Sequence, residues 1–537
     1  MLESYQSLKS TCREQILALF DVMQQEHLDK AKIFTAHIDI LEDEVINEEI
    51  VTLIESERVC ADWAIYTVYE NYIQILSKAK NQLSRERSDD LKDVRNRLLR
   101  IWAGVSNQGL SVLSHPVIVV AHDLLPSDTA SMDKENVLAI VTEVGGYTSH
   151  SAIIARGFGI PAVLGVADIT TIISNDELIA VNGIDGNVIV GPFTDKLLKE
   201  YEQMRTAFLS AKKKQQTYLV SKAATSDGHC IDIGLNVGSD LKAETQNSSY
   251  VDFVGLFRTE FLYMLSSSLP CEEMQFNIYK ELVESFNGKP VTLRTLDIGG
   301  DKDLPALPIQ KEENPFLGKR ALRLCFDEPE MFKTQLRAAL RASKCGPLWL
   351  MFPMVGSMED LRRAKAFLHE AMTELDSAGI QYDPNIKVGV MIEIPAIALM
   401  APELVREVDF ASFGTNDLCQ YTLATDRGNP NISEYYQDYH PALFRLINLV
   451  AKTFIKAEKP LCVCGELGGQ VLAAPVLVGL GINKLSMAFS SVAAVKQAFA
   501  SYSLKEMQEM SEHVLRCDTQ EAILNYLNNG QKNNRPL

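Results

Sequence analysis

The chain has 537 residues, of which 46% are hydrophobic and 23% charged, with a net charge of −18. That length divides into about three or four domains. No apolar run approaches the roughly 20 residues of a membrane span, and Met1-Leu2-Glu3-Ser4 opens no secretory signal, so a cytoplasmic location is expected. The acidity disfavours a nucleic-acid backbone as main partner and favours a basic protein. The ten cysteines have no framework spacing, and Cys462-x-Cys464 lacks a second pair to complete a zinc site.

In chain order, residues 1–105 read as a helical region. Leu8, Cys12, Ile16, Leu19 and Met23 recur at helical spacing, as do Ala61, Ala64, Ile65, Val68 and Tyr72. No glycine occurs before Gly104 and no proline before Pro116. Residues 106–193 then read as a small α/β domain. Its predicted strands are Val117–Val120, Val137–Val141, Leu178–Val181 and Val188–Val190, separated by glycines. Residues 194–221 are predicted to form a polar linker helix carrying Lys212–Lys214 on a solvated face.

Residues 222–537 alternate strands and helices. Eight strands are predicted: Ile231–Val237, Val251–Phe257, Pro290–Leu296, Pro347–Pro353, Lys387–Ile394, Val408–Phe413, Pro460–Gly465 and Lys484–Met487. Amphipathic segments such as Met358–Leu375 and Pro441–Glu458 lie between them. Eight such units point to a (β/α)₈ TIM-type barrel, with a doubly wound sheet as the competing arrangement. The fold class is thus multidomain α/β. Distinctive polar residues fall at the C-terminal strand ends: Arg258, Arg294, Glu393, Asn416, Asp417 and Cys464. In a barrel those ends meet at one mouth.

The residue types suit a small polyanion. Guanidinium forks bind carboxylate and phosphate bidentately. Glu393 and Asp417 are hard oxygen ligands suited to Mg²⁺ shared with phosphate. Arg427 sits in a loop ten residues after Asp417, within reach of a ligand. In the α/β domain, Gly145-Gly146-Tyr147-Thr148-Ser149-His150 reads as a glycine turn entering a helix, with Thr148 and Ser149 as candidate caps. Free amides at such a helix start favour a phosphate carried on His150. A neutral imidazole is a competent nucleophile toward phosphorus. The other eight histidines are read as structural.

The segment 145–156 resembles the phosphohistidine motif of phosphoenolpyruvate-utilising enzymes. Over nearly its whole length the chain is similar to the Enzyme I family of the bacterial sugar phosphotransferase system. The resemblance includes Gly255-Leu256-Phe257-Arg258-Thr259-Glu260-Phe261-Leu262, and Arg294-Thr295-Leu296-Asp297 continuing through Lys302. It also includes Glu312-Glu313-Asn314-Pro315-Phe316-Leu317-Gly318, Gly414-Thr415-Asn416-Asp417-Leu418 and Cys464-Gly465-Glu466-Leu467. It implies a phosphotransferase with a nitrogenous acceptor, which moves the phosphoryl group of phosphoenolpyruvate to His150 and then to the histidine of the carrier HPr.

On the same resemblance, Arg258, Arg294, Asn416, Asp417 and Arg427 hold phosphoenolpyruvate, and Glu393 and Asp417 hold Mg²⁺. Cys464 protonates the enolate as pyruvate forms, and Lys302 and Arg320 make secondary phosphate contacts. Residues 1–105 would receive HPr, with Glu42, Asp43 and Glu44 as acidic contacts, and the barrel would form a homodimer. The linker is expected to let His150 swing between barrel and carrier.

Glu143 stands where the family usually has aspartate, and Cys419 where threonine is common. The family also begins with a strand ahead of the first helix, and this chain starts inside the helical region. Exposure of a sheet edge in the phosphohistidine domain is therefore expected. Two other functions fit less of the pattern. An ATP-dependent phosphoenolpyruvate synthase or dikinase needs a nucleotide domain, and no Gly-rich phosphate loop precedes residue 105. A non-catalytic regulator would not need the complete set of barrel residues.

Overall fold

The computed structural model describes the chain except residues 27, 78–81, 106–109, 111–112, 126–127, 129–131, 134, 146–154, 156–158, 239–240, 265–267, 300–303, 305, 308–311 and 535–537. It divides into two units, Met1–Ala207 and Phe208–Leu537.

The first unit opens with five helices, α1 (Leu2–Glu26), α2 (Leu28–Glu42), α3 (Glu44–Glu57), α4 (Ala61–Ser77) and α5 (Gln82–Trp102). Their apolar residues recur every three or four positions, which puts them on one face. Ile46, Ile50 and Ile54 of α3 are buried, as are Ala61, Ala64, Ile65, Val68, Tyr69 and Ile73 of α4. They share a core with Tyr5, Cys12, Ile16, Phe34, Leu91, Val94 and Leu98. The α2–α3 corner is fixed by Asp43, whose Oδ1 accepts the Ile46 N–H at 3.0 Å. Such a cap contributes about 1 kcal/mol. Arg58, in the left-handed region at φ 53°, ends α3.

A parallel sheet follows, in the order β1 (Val117–Ala121), β2 (Val137–Thr142), β3 (Ala162–Leu164). The hairpin β4 (Ile179–Asn182) and β5 (Asn187–Val190) is antiparallel. Asn182 Oδ1 accepts the Ile184 N–H at 2.9 Å, and Gly186 takes φ 71°, so the turn is built from an Asx bond and a glycine. Four of these five strands match the segments read from the sequence. β3, three residues directly after Pro161, is the addition. The helix Asp195–Thr217 has no buried residue and carries Lys212–Lys214 on its surface.

The second unit is a closed barrel of eight parallel strands. They are β6 (Asp232–Val237), β7 (Phe253–Arg258), β8 (Val291–Arg294), β9 (Leu348–Phe352), β10 (Lys387–Ile392), β11 (Phe410–Phe413), β12 (Leu461–Val463) and β13 (Lys484–Met487). Seven lie within segments read from the sequence, and β7 overruns its segment by one residue, Arg258. β13 pairs with β6, and this closure excludes the doubly wound sheet.

Strand alternation separates two cores. Outward residues such as Ile233, Val254, Leu350, Ala411 and Val463 pack with the surrounding helices. Inward residues Leu256, Met351, Met391, Phe410 and Cys464 form their own cluster along the axis. The interior is tight at Gly255, where a Cβ would lie 2.3 Å from Ser486 Cβ. The helix Met358–Ser377 starts with a capping box between Ser357 and Asp360. The helix Pro441–Lys456 buries Leu443, Phe444, Ile447, Val450, Ala451 and Phe454 against the strands.

Candidate active site at the mouth of the barrel

The polar residues read at the strand ends are brought together at one end of the barrel. Arg258 and Arg294 are the last residues of β7 and β8 and are register partners. Glu393 follows β10 and Cys464 follows β12. Asn416 and Asp417 lie in the first turn of the helix Thr415–Leu423, directly after β11. A Cβ on Gly414 would lie 2.9 Å from Glu393 Oε2, so glycine allows helix and carboxylate to meet. Arg427 is exposed in the loop beyond, and its N–H donates to Gln420 Oε1 at 3.0 Å.

The mouth is organised by an alternating chain of buried charges. Arg294 bridges Glu260 and Asp297, the latter at 2.8 Å. Arg320 continues the chain. Its Nε and Nη2 reach the two Asp297 oxygens at 2.9 and 3.1 Å. Its Nη1 and Nη2 reach the two Asp417 oxygens at 3.1 and 3.2 Å. Burial works against both guanidinium charges. Glu260 and Asp297 outweigh it for Arg294, and Asp297 and Asp417 for Arg320, so both are held above the ordinary arginine range. Two preorganised cations therefore face the mouth without rearranging when an anion arrives. Behind them Thr259 Oγ1 donates to the Arg294 carbonyl at 3.0 Å, and Gln335 Nε2 donates to Thr259 at 3.1 Å.

Glu393 is fully buried. Its Oε1 accepts the N–H of Met354 at 2.5 Å, while Oε2 has no hydrogen-bond partner. Met354 itself sits at φ 51°, a backbone state that non-glycine residues rarely adopt and that clusters at functional sites. Burial, with Asp417 and Asp297 nearby, raises the Glu393 carboxyl to about 8, against the opposing pull of Arg294 and Arg320. Cys464 is also buried, and its thiol donates to the Phe413 carbonyl at 3.4 Å. Burial pushes that thiol up to about 11, although Ser412 and Arg294 pull it down. It therefore carries its proton at neutral pH.

The sequence reading missed three members of this site. Glu260 and Asp297 stand two and three residues after Arg258 and Arg294, inside motifs already singled out. Asn236 was not singled out at all; its Nδ2 holds the Cys464 carbonyl at 2.9 Å, and Ser486 Oγ donates to its Oδ1 at 2.6 Å.

His150 and Lys302 lie outside the described residues, as do Thr148 and Ser149. Close to that segment in sequence, His122 Nδ1 and Glu143 Oε2 are 2.5 Å apart. Glu143 also accepts the Thr170 N–H at 2.9 Å. The hydrogen bond with His122, then those with Thr170, hold its carboxyl down at about 2. In the helical region Glu42 pairs with Lys9 at 2.8 Å and Asp43 is the cap of α3, while Glu44 is exposed. Asn416 is partly committed as well, its Oδ1 accepting the Glu466 N–H at 3.0 Å.

Comparison with known families matches residues 3–87 to "PEP-utilising enzyme, N-terminal", 113–186 to "PEP-utilising enzyme, mobile domain" and 212–504 to "PEP-utilising enzyme, PEP-binding domain". Similar curated proteins carry the name phosphoenolpyruvate-protein phosphotransferase. That of Staphylococcus carnosus (strain TM300) is 41% identical over 507 residues, 94% of this chain and 88% of the relative. That of Geobacillus stearothermophilus is 42% identical over 502 residues, 93% and 86%. That of Bacillus subtilis (strain 168) is 41% identical over 501 residues, 93% and 87%. On identity and coverage together, the chain belongs to the phosphoenolpyruvate-protein phosphotransferase family of PEP-utilising enzymes.

Proposed function

We propose that the chain takes the phosphoryl group of phosphoenolpyruvate onto His150, releases pyruvate, and passes the group to the histidine of HPr. This is the first step of sugar uptake by the phosphotransferase system. The observation that carries the proposal is the buried clamp of Arg294 and Arg320 beside a protonated, buried Cys464. Phosphoryl transfer needs positioned positive charge more than covalent chemistry.

Arg258, Arg294 and Arg427 would neutralise the carboxylate and phosphate of the substrate, with Asn416 and Asp417 orienting it. Arg320, tied to two carboxylates, would act through Asp417. Cys464 would protonate the enolate left when the phosphoryl group departs. Glu393 and Asp417 fit Mg²⁺: the buried Oε2 of Glu393 lacks a partner, and an Asp417 carboxylate held by Arg320 keeps lone pairs free. Among the described residues no three ligands converge on one point. Mg²⁺ ordinarily completes its shell with water and substrate oxygens. Bound there, it would supply neutralising charge to the phosphate oxygens.

The same reading assigns residues 1–105 to HPr docking, 106–193 to the phosphohistidine domain, 194–221 to the linker and 222–537 to the barrel. It places the protein in the cytoplasm as a homodimer.

The test is incubation with phosphoenolpyruvate and Mg²⁺ followed by mass spectrometry of the intact chain. One acid-labile phosphate should appear, and His150→Ala should abolish it. Phosphate retained on His150→Ala would overturn the assignment, and labelling from ATP instead would favour a dikinase. Cys464→Ala should slow pyruvate formation by about 10²–10⁴-fold. Back-transfer from phosphorylated HPr to His150 should survive that change.

A further inference from the structure

Each turnover of the proposed reaction takes one proton from Cys464, whose side chain is 2% exposed. Its hydrogen-bond partner, the Phe413 carbonyl, only accepts and cannot return a proton. The barrel interior holds a group that can. β11 and β12 pair so that Ser412 stands opposite Cys462. Cys462 and Cys464 are two residues apart across β12, so both share the inward face with Ser412. Ser412 is 1% exposed and its Oγ makes no hydrogen bond of ordinary geometry. It is nonetheless near enough to both thiols to favour their deprotonation. An unsatisfied buried hydroxyl calls for an explanation.

On its other side lies a cavity of about 20 Å³, lined by Ser412, Cys462, Thr292 and Lys484 among the rings of Phe253, Trp349 and Phe410. That volume holds one water molecule, and the lining offers it polar partners.

We infer that Ser412 is a proton relay that reloads Cys464 from a water molecule in this cavity, on the side of the barrel away from the substrate. The inference rests on the proposed role of Cys464. The balance is simple. The Cys464 S–H bond breaks as its proton goes to the enolate carbon, leaving pyruvate and a thiolate. The thiolate then takes the Ser412 Oγ proton, and Ser412 takes a proton from the cavity water. The hydroxide left there is neutralised by exchange with solvent. Ser412 touches no substrate atom and acts only through the thiol.

The test counts pyruvate per chain by rapid quench, with phosphoenolpyruvate, Mg²⁺ and excess HPr. Ser412→Val and Ser412→Thr are matched in shape and differ in the hydroxyl. In Ser412→Val the first pyruvate should form at the unmodified rate and later ones roughly tenfold more slowly. Ser412→Thr should keep all turnovers fast. Equal slowing of the first and later turnovers in Ser412→Val would make the residue a prop for the thiol and overturn the relay. Unchanged later turnovers would show reloading from the mouth and overturn it too. Cys464→Ala in the same assay tests the underlying reading separately: a fast first turnover there removes the thiol from the mechanism altogether. Should Ser412→Val fail to bind phosphoenolpyruvate, Ser412→Ala replaces it with the same expected pattern.

Discussion

At the barrel mouth, Glu260, Arg294, Asp297, Arg320 and Asp417 alternate in sign, and none is more than 6% exposed. At the strand ends of the small parallel sheet, His122 and Glu143 also pair, but the imidazole is 71% exposed. The first arrangement draws its strength from desolvation: each charge is held because removing its partner would strand it in a low dielectric. The second draws on short local hydrogen bonds and is screened by water. Their apolar support differs in the same way. The sheet rests on a small core of Val119, Leu124, Met132, Val137, Ile140 and Ala155. The barrel has a continuous outer core as well as its axial cluster. A site that must neutralise a substrate with fixed charges needs such a scaffold. The proposed role of the sheet domain, carrying a histidine between barrel and carrier, makes no such demand.

The contrast is most directly broken at Asp297. Asp297→Ala leaves Arg294 and Arg320 sharing fewer carboxylates and should cost the barrel about 3–5 kcal/mol. Urea unfolding followed by the barrel tryptophan Trp349 reads this, and a loss below 1 kcal/mol would mean that water already reaches the clamp.

Calorimetry of the whole chain is the next test. The sheet domain should melt several degrees before the barrel, because less apolar surface holds it. Simultaneous melting would erase the distinction.

Glu393 sharpens it further through pH. Its folded carboxyl sits at about 8 against an ordinary 4.5. Its stabilising contribution is therefore complete below about 4.5 and is lost as pH rises through 8. In metal-free protein, Glu393→Gln should raise the barrel melting temperature at pH 8 and leave it nearly unchanged at pH 5. Added Mg²⁺ should stabilise the parent and not the variant.

The smallest effect is expected at Glu143, whose carboxyl is held at about 2. Its contribution is present above the ordinary 4.5 and is lost as pH falls toward 2. Glu143→Gln should flatten the acid limb of the sheet domain's melting profile by an amount near the limit of detection. A large change would show that this pair is far better shielded than its exposure implies.

The sequence made the repetitive part of the architecture readable. Eight short apolar runs became eight barrel strands because a strand buried on both faces is necessarily apolar and short. β3 escaped because three residues after a proline carry no periodicity. In the site, Arg258, Arg294, Glu393, Asp417 and Cys464 were legible from their places at strand ends. Glu260, Asp297 and Asn236 were not, since their importance lies in what they touch across the barrel. Asp43, read as a contact for a basic partner, has a second role that the sequence reading did not assign it, as the cap of α3 through Oδ1.

The pairing of β13 with β6 has a consequence for how the protein is made. Lys484 and Asp232, joined across that seam, are 252 residues apart in the chain. A ribosome adds roughly 5–20 residues per second. The first barrel strand is therefore outside the exit tunnel for tens of seconds before its neighbour exists. During that interval β6 has an open edge and an uncovered apolar outer face of Ile233, Leu235 and Val237, the condition that recruits chaperones or another nascent chain. Synonymous codons that slow translation between the β6 and β13 coding regions should accordingly lower the soluble yield while leaving the finished enzyme unchanged.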